Sequence, residues 1–135
     1  MRIIELQGHR NAGKTSTMLI LYTILLQNGF VRVGGQLHFP PKPDFDVLLE
    51  RDGKKYGFMT FGDKLKDLKK FLSDFDKKHK CELVFTASRQ FKTWRIKDDY
   101  EETSTIWKSR QPDGSANVEI LEANLASALA LFARL

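Results

Sequence analysis

A chain of 135 residues with net charge +5 and one cysteine has room for a single domain around one core. Ten Phe, two Trp and many Leu and Ile supply that core, which excludes a disordered, collagen-like or disulfide-stapled chain. Cys81 has no partner for an internal disulfide, so a reducing, cytoplasmic setting is expected, and the mild basic excess is read first as solvated surface, with nucleic acid admitted as a partner but not favoured.

Arg2 to Gln7 reads as a short buried strand, and its apolar stretch Ile3–Leu6 is too short for a secretion signal. Gly8 to Gly13 is a glycine-bounded loop. Lys14 to Asn28 reads as a helix closed by Gly29, with apolar residues nearly all round it. Its most apolar run, Met18–Leu26, falls far short of the roughly 20 residues of a membrane span, so no membrane partner is expected.

Phe30 to Phe39 could hold a short strand, weakened by Gly34 and Gly35 and ended by Pro40, Pro41 and Pro43. Phe45–Arg51 and Lys54–Phe61 form the clearest hairpin, joined by Asp52-Gly53. Lys64 to Lys78 is an amphipathic helix with Leu65, Leu68, Phe71, Leu72 and Phe75 on one stripe. Glu82–Ala87 is an apolar strand. Ser88–Glu102 mixes basic, aromatic and then acidic residues. Thr103–Ser109 reads as the last strand, Pro112-Asp113-Gly114 as a turn, and a terminal helix begins between Asn117 and Glu122. This order predicts one three-layer α/β domain over residues 1–135: a mainly parallel central sheet that includes the hairpin, with helices on both faces.

Gly8-His9-Arg10-Asn11-Ala12-Gly13-Lys14-Thr15 matches G-x-x-x-x-G-K-[ST] in full, after a strand and opening a helix. A chance match in a chain this long is on the order of one in two hundred. The motif and its context resemble the P-loop NTPases. The resemblance implies a nucleoside triphosphate bound with Mg²⁺. Backbone N–H groups from Gly8 through Ser16 would surround phosphate oxygens, aided by the helix N-terminus. Lys14 would reach the β- and γ-phosphates and Thr15 would place its hydroxyl on Mg²⁺.

Such proteins usually draw a second Mg²⁺ contact from an acid at another strand end. Asp63, after the apolar strand ending in Gly62, is the first candidate; the alternative, that it caps the helix beginning at Lys64, is compatible with this role. Asp44 and Asp46 are rivals, read first as solvated residues at a strand edge. Arg89 follows a core strand on the presumed ligand side and is the candidate cation for the transferring phosphate. Arg89, Lys92, Arg95 and Lys97 around Phe91 and Trp94 could form a lid, stack on a base, or grip single-stranded nucleic acid. The opposing reading is a scaffold segment with buried aromatics. His38, His79 and Cys81 suggest no zinc site.

The branch stays open. The element order resembles small GTPases and small kinases, but D-x-x-G and N-K-x-D are missing. ATP is therefore expected over GTP, without excluding GTP. The leading expectation is a Mg²⁺-dependent ATP hydrolase with Lys14, Asp63 and Arg89 as catalytic groups. The alternatives are a kinase passing the γ-phosphate to a nucleotide or metabolite, with Asp44, Asp46 and Arg89 lining the acceptor site, and a nucleotide-gated binding module without significant turnover.

Overall fold

The computed structural model describes residues 1–34, 36–38 and 44–135. The elements run β1 (Arg2–Gly8), α1 (Lys14–Gln27), β2 (Val31–Arg32), β3 (Asp46–Arg51), β4 (Lys54–Met59), α2 (Leu65–Ser73), a π-helical turn (Asp74–Lys78), β5 (Leu83–Ser88), α3 (Ile96–Asp99), β6 (Thr103–Lys108) and α4 (Asn117–Phe132). One six-stranded sheet results, in the order β2-β3-β4-β5-β1-β6.

The central strands are near-continuous apolar runs. Every residue of β5 is buried, as expected of a strand covered on both faces. Side-chain alternation divides the core in two. Ile4 and Leu6 of β1 and Phe85 of β5 face α1 and α4, packing with Met18, Leu21, Leu25 and Leu131. Ile3 and Val84 face the other way, toward Leu68 and Leu72 of α2, Phe75 and Ile96. Helices thus cover both faces of a single α/β unit.

The sheet is mixed. β1 pairs in parallel with β5 and β6, and β4 with β5. The β2–β3 and β3–β4 pairings are antiparallel. It is therefore less uniformly parallel than the element order suggested, because the hairpin occupies one whole side. The Asp52-Gly53 turn takes the positive φ values (54° and 74°) that a tight hairpin needs. The strand expected over 30–39 shrinks to Val31–Arg32, whose two side chains are exposed, and Pro40, Pro41 and Pro43 lie outside the described residues. Among the described residues, no helix is long and apolar enough to cross a membrane.

The hairpin strand β4 does not lie beside β1, because β5 intervenes. A group at the end of β4 must reach across the end of β5 to approach the Gly8–Thr15 loop.

Candidate functional site

β1 ends at Gly8, and the chain turns through residues 9–13 into α1. Two residues of this turn have left-handed backbone angles, Asn11 (φ 64°) and Gly13 (φ 87°). Gly13 is needed twice over. Besides its φ, a Cβ there would sit 2.9 Å from Asn124 Oδ1 on α4 and 3.3 Å from Lys108 Cε on β6. The loop is thereby clamped against α4 and β6. Ala12 is buried beneath it, while His9, Arg10 and Asn11 are exposed, His9 packing edge-on to Trp107. No side chain caps the N-terminus of α1 and its first turn carries no acid. The positive end of the helix therefore meets the loop without an internal counter-charge.

Lys14 folds back over this loop. Its ammonium donates to the Gly8 carbonyl at 2.6 Å and lies 3.5 Å from that of His9. Burial lowers its pKa, opposed by the negative charge of Asp63 and reinforced by the positive charge of Arg89. Both predicted partners thus act electrostatically on Lys14. Asp63 also lines one cleft with Arg10, Asn11, Ala12, Gly13, Lys14 and Thr15. Asp63 does not cap the following helix: α2 begins at Leu65, its N-cap is Lys64, and no side chain bonds there.

Gly62 is what lets Asp63 arrive. The chain leaves β4 and passes over the end of β5 so closely that a Cβ on Gly62 would lie 2.1 Å from the Ala87 carbonyl oxygen. The Arg89 N–H meets the Gly62 carbonyl at 3.5 Å. This contact ties the segments carrying Asp63 and Arg89 to each other at the mouth of the cleft.

Asp44 departs from the solvated strand-edge residue expected of it. Its Oδ1 accepts from the Thr60 hydroxyl at 3.0 Å and lies 3.5 Å from the Thr15 hydroxyl. Its pKa is raised, chiefly by burial and further by Asp63, while the hydroxyls of Thr60 and Thr15 oppose the shift. Two carboxylates from different parts of the chain therefore converge near Thr15. Sequence reasoning underrated Asp44 because its partner Thr60 is 16 residues away along the chain, and only the β3–β4 register brings them together.

Asp46 is corrected in the opposite sense. It is wholly buried on β3, accepts from the backbone N–H of His38 at 3.0 Å, and contacts the His38 ring and the Gln36 amide. The far ring nitrogen of His38 meets Asp74 at 3.0 Å, and the ring stacks on Phe71. This cluster pins residues 36–38 to α2 and leaves Asp46 no free face for a phosphate acceptor.

The basic-aromatic segment separates into two parts. Trp94 and Ile96 are buried in the α2-side core, where the Trp94 indole N–H donates to Asp99 at 3.2 Å. Trp94 is thus core, not a platform for a base. Arg95 pairs with Asp98 at 3.6 Å in the exposed first turn of α3. Within this segment, Arg89 is the cation whose charge registers on Lys14.

Two polar groups escaped the sequence reading. Lys108, at the end of β6, is only 3 % exposed. Its ammonium approaches Ser127 Oγ at 3.5 Å, burial lowers its pKa, and no carboxylate pairs with it among the described residues. Glu5, buried mid-strand on β1, accepts from Ser88 and Thr105, each at 2.6 Å. A charged residue inside an apolar strand was the available signal for Glu5. A second cleft, lined by Asn11–Gly13, Arg110–Ser115, Ile120 and Asn124, opens on the β6–α4 side of the same loop.

Comparisons with protein-family models, with curated proteins and with solved structures found no match.

Proposed function

We propose that this chain is a P-loop NTPase that binds a nucleoside triphosphate with Mg²⁺ and hydrolyses ATP. The observation that carries the reading is the convergence on one loop: the full motif Gly8–Thr15, with Lys14 laid across it, meets Asp44, Asp63 and Arg89 from three other segments. Its position also supports the reading, since ligands of open α/β sheets bind outside the carboxyl ends of parallel strands.

The role proposed for each residue rests on the motif and on where its side chain lies. The uncapped N–H groups at the start of α1 suit phosphate oxygens. Lys14 exchanges the Gly8 carbonyl for the β- and γ-phosphates, gaining an anionic partner in place of a neutral one. Arg89, exposed at the end of β5, meets the γ-phosphate as its charge redistributes. Thr15 and Asp63 would hold the metal, directly or through its water, with Asp44 behind Thr15. A hydroxyl and two carboxylates fit Mg²⁺, which binds few protein oxygens and keeps waters and phosphates as its other ligands. When bound, Mg²⁺ neutralises charge on the β- and γ-phosphate oxygens. The nucleoside extends toward the cleft between the loop and Arg110–Ser115.

Calorimetry with ATP and GTP, with and without Mg²⁺, tests the binding, and phosphate release tests the turnover. Mg²⁺-dependent ATP binding is expected, with Lys14→Ala roughly 10- to 100-fold weaker, the worth of one charge-assisted hydrogen bond. No binding of either nucleotide, or an unchanged affinity in Lys14→Ala, refutes the reading. ADP formation that needs a nucleoside monophosphate and releases no free phosphate would favour the kinase instead.

A further inference from the structure

The basic excess is not spread over the molecule. Residues 64–80 hold seven lysines against Asp67, Asp74 and Asp76, a net +4 of the whole chain's +5. Every exposed residue in that stretch is a lysine. None of the seven forms an ion pair among the described residues. The three aspartates are partly buried, and Asp74 is engaged by His38. A helix surface built only for solvation mixes both signs, because opposite charges at i, i+4 support a helix and like charges weaken it. Lys66 and Lys70 are such a like-charge pair. We propose that this face binds the phosphate backbone of a nucleic-acid duplex, without regard to its sequence.

The lysines form one continuous track. α2 and the π-helical turn run on for nine and five residues, a rod of about 20 Å. Its buried side is Leu68, Leu72 and Phe75. Lys66, Lys70 and Lys77, at i, i+4 and i+11, fall on the opposite side with Lys69 beside them. About 20 Å of duplex axis carries roughly a dozen phosphates, so the row meets ample opposite charge. At the far end of the rod, Lys78 and Lys80 join Lys54 and Lys55 of the hairpin around one cleft. Glu82 offsets Lys54 there at 3.6 Å. The pKa of His79 in this cleft is lowered, chiefly by burial and then by Lys78, with Asp74 opposing and His38 and Lys55 adding to the fall. Lys80 has a left-handed backbone (φ 54°), so a long cation stands at a helix end that favours glycine.

The chemistry of the face selects the partner. Protein interfaces are depleted in lysine. A helix that lies on a membrane sinks an apolar stripe into it, and the apolar stripe of α2 is already packed in the core. Binding of single strands adds aromatic rings on which bases stack. No aromatic side chain is exposed between residues 64 and 80, and the neighbouring Trp94 is buried with the Lys69 ammonium over its ring. Lysine meets phosphate as a point charge, and the stretch holds no arginine, asparagine or glutamine to read a base edge. What remains is a backbone contact, electrostatic and indifferent to sequence. The track makes no use of the Gly8–Thr15 loop, so the proposal stands independently of nucleotide binding.

Fluorescence anisotropy of labelled DNA duplexes with the full chain, nucleotide omitted, tests it. Two duplexes of unrelated sequence should bind alike, and affinity should fall about 500-fold between ~50 and ~200 mM salt, the slope of about five phosphate contacts. Lys70→Gln combined with Lys77→Gln should reduce the slope of log K against log salt by about 2. Arg2→Gln combined with Arg134→Gln, the same loss of charge away from the track, should leave the slope unchanged. All four side chains are exposed, and circular dichroism checks that both variants are folded. No duplex binding at ~50 mM salt, or equal losses in the two variants, would overturn the proposal. So would binding to phosphatidylserine vesicles or polyglutamate without binding to duplex, or tighter binding of a single strand than of the duplex.

Discussion

Gly62→Ala is the sharpest test of how the site is assembled. A Cβ at this position would lie 2.1 Å from the Ala87 carbonyl oxygen and 3.2 Å from Ser88 Cα. Carbon and carbonyl oxygen settle at about 3.3 Å, so the gap must open by roughly 1.2 Å. Both neighbours are backbone atoms at the end of β5, a fully buried strand held between β4 and β1. The loop 62–64 therefore moves, and Asp63 moves with it. Overpacking of this kind costs about 1–3 kcal/mol, a drop in Tm of roughly 3–10 °C for a chain of this length. The larger effect is on turnover. A displacement of about 1 Å in a positioning group costs on the order of 100-fold, while the Gly8–Thr15 loop is untouched and binding of the triphosphate tail should fall far less. Differential scanning fluorimetry and steady-state phosphate release at saturating ATP read the two effects separately. An unchanged Tm would refute the close packing. A lowered Tm with wild-type turnover would refute the role given to Asp63.

Three further substitutions address other parts of the argument. Asp44 has a raised pKa, so the folded state holds more protons and stability falls as pH rises from the ordinary carboxylate range through the folded value; Asp44→Asn should raise Tm at pH 7, flatten that dependence, and abolish the extra stabilisation that Mg²⁺ adds to ATP. Lys108 has a lowered pKa, so the unfolded state holds more protons between its folded value and 10.5 and stability rises with pH there; Lys108→Met should flatten this alkaline rise and stabilise the unliganded chain at pH 7, both read by urea denaturation across pH. Trp94→Ala should cost about 3–5 kcal/mol as a core deletion yet leave ATP affinity unchanged in calorimetry; a parallel loss of affinity would restore Trp94 as a base-stacking residue.

Most of the element order was legible because its signals are local. The Asp52-Gly53 turn, the stripe Leu65–Phe75 and the glycine motif each declare themselves within a dozen residues. What escaped the sequence depends on which strands become neighbours. Insertion of β5 between β4 and β1 cannot be read from any window. It decides both that Asp63 must cross a strand end and that Gly62 must be glycine to do so. Asp44 and Asp46 look alike in sequence, two residues apart, and differ completely in the fold: one turns toward Thr15, the other into the sheet face that holds His38. Trp94 carried two opposite readings, stacking platform or core, and only its packing against the α2 layer separates them. The terminal helix is legible as a helix, but its leucines at Leu121, Leu125 and Leu129 are exposed, which helical spacing by itself does not determine.

The electrostatics of the loop bear on why it should take a ligand at all. Lys14, Asp44 and Lys108 are shifted toward their neutral forms, two cations downward and one acid upward, with burial as the largest cause in each case. Each shift opposes folding at neutral pH, because the charged form is better solvated in the unfolded chain. A protein core built only for stability would replace such groups with apolar ones. The arrangement around Thr15 makes sense if both signs are compensated from outside: an anion meeting Lys14 over the loop, and a cation meeting Asp44 beside Asp63. A metal–triphosphate pair brings both at once, which neither phosphate nor Mg²⁺ alone can do. Stabilisation by MgATP should therefore exceed the sum of the effects of Mg²⁺ alone and of metal-free ATP. At a ligand concentration 100-fold above Kd it should reach about 2.7 kcal/mol. Simple additivity of the two effects in thermal denaturation would separate the metal site from the phosphate site and break the link between Thr15, Asp44 and Asp63 on which the proposed chemistry depends.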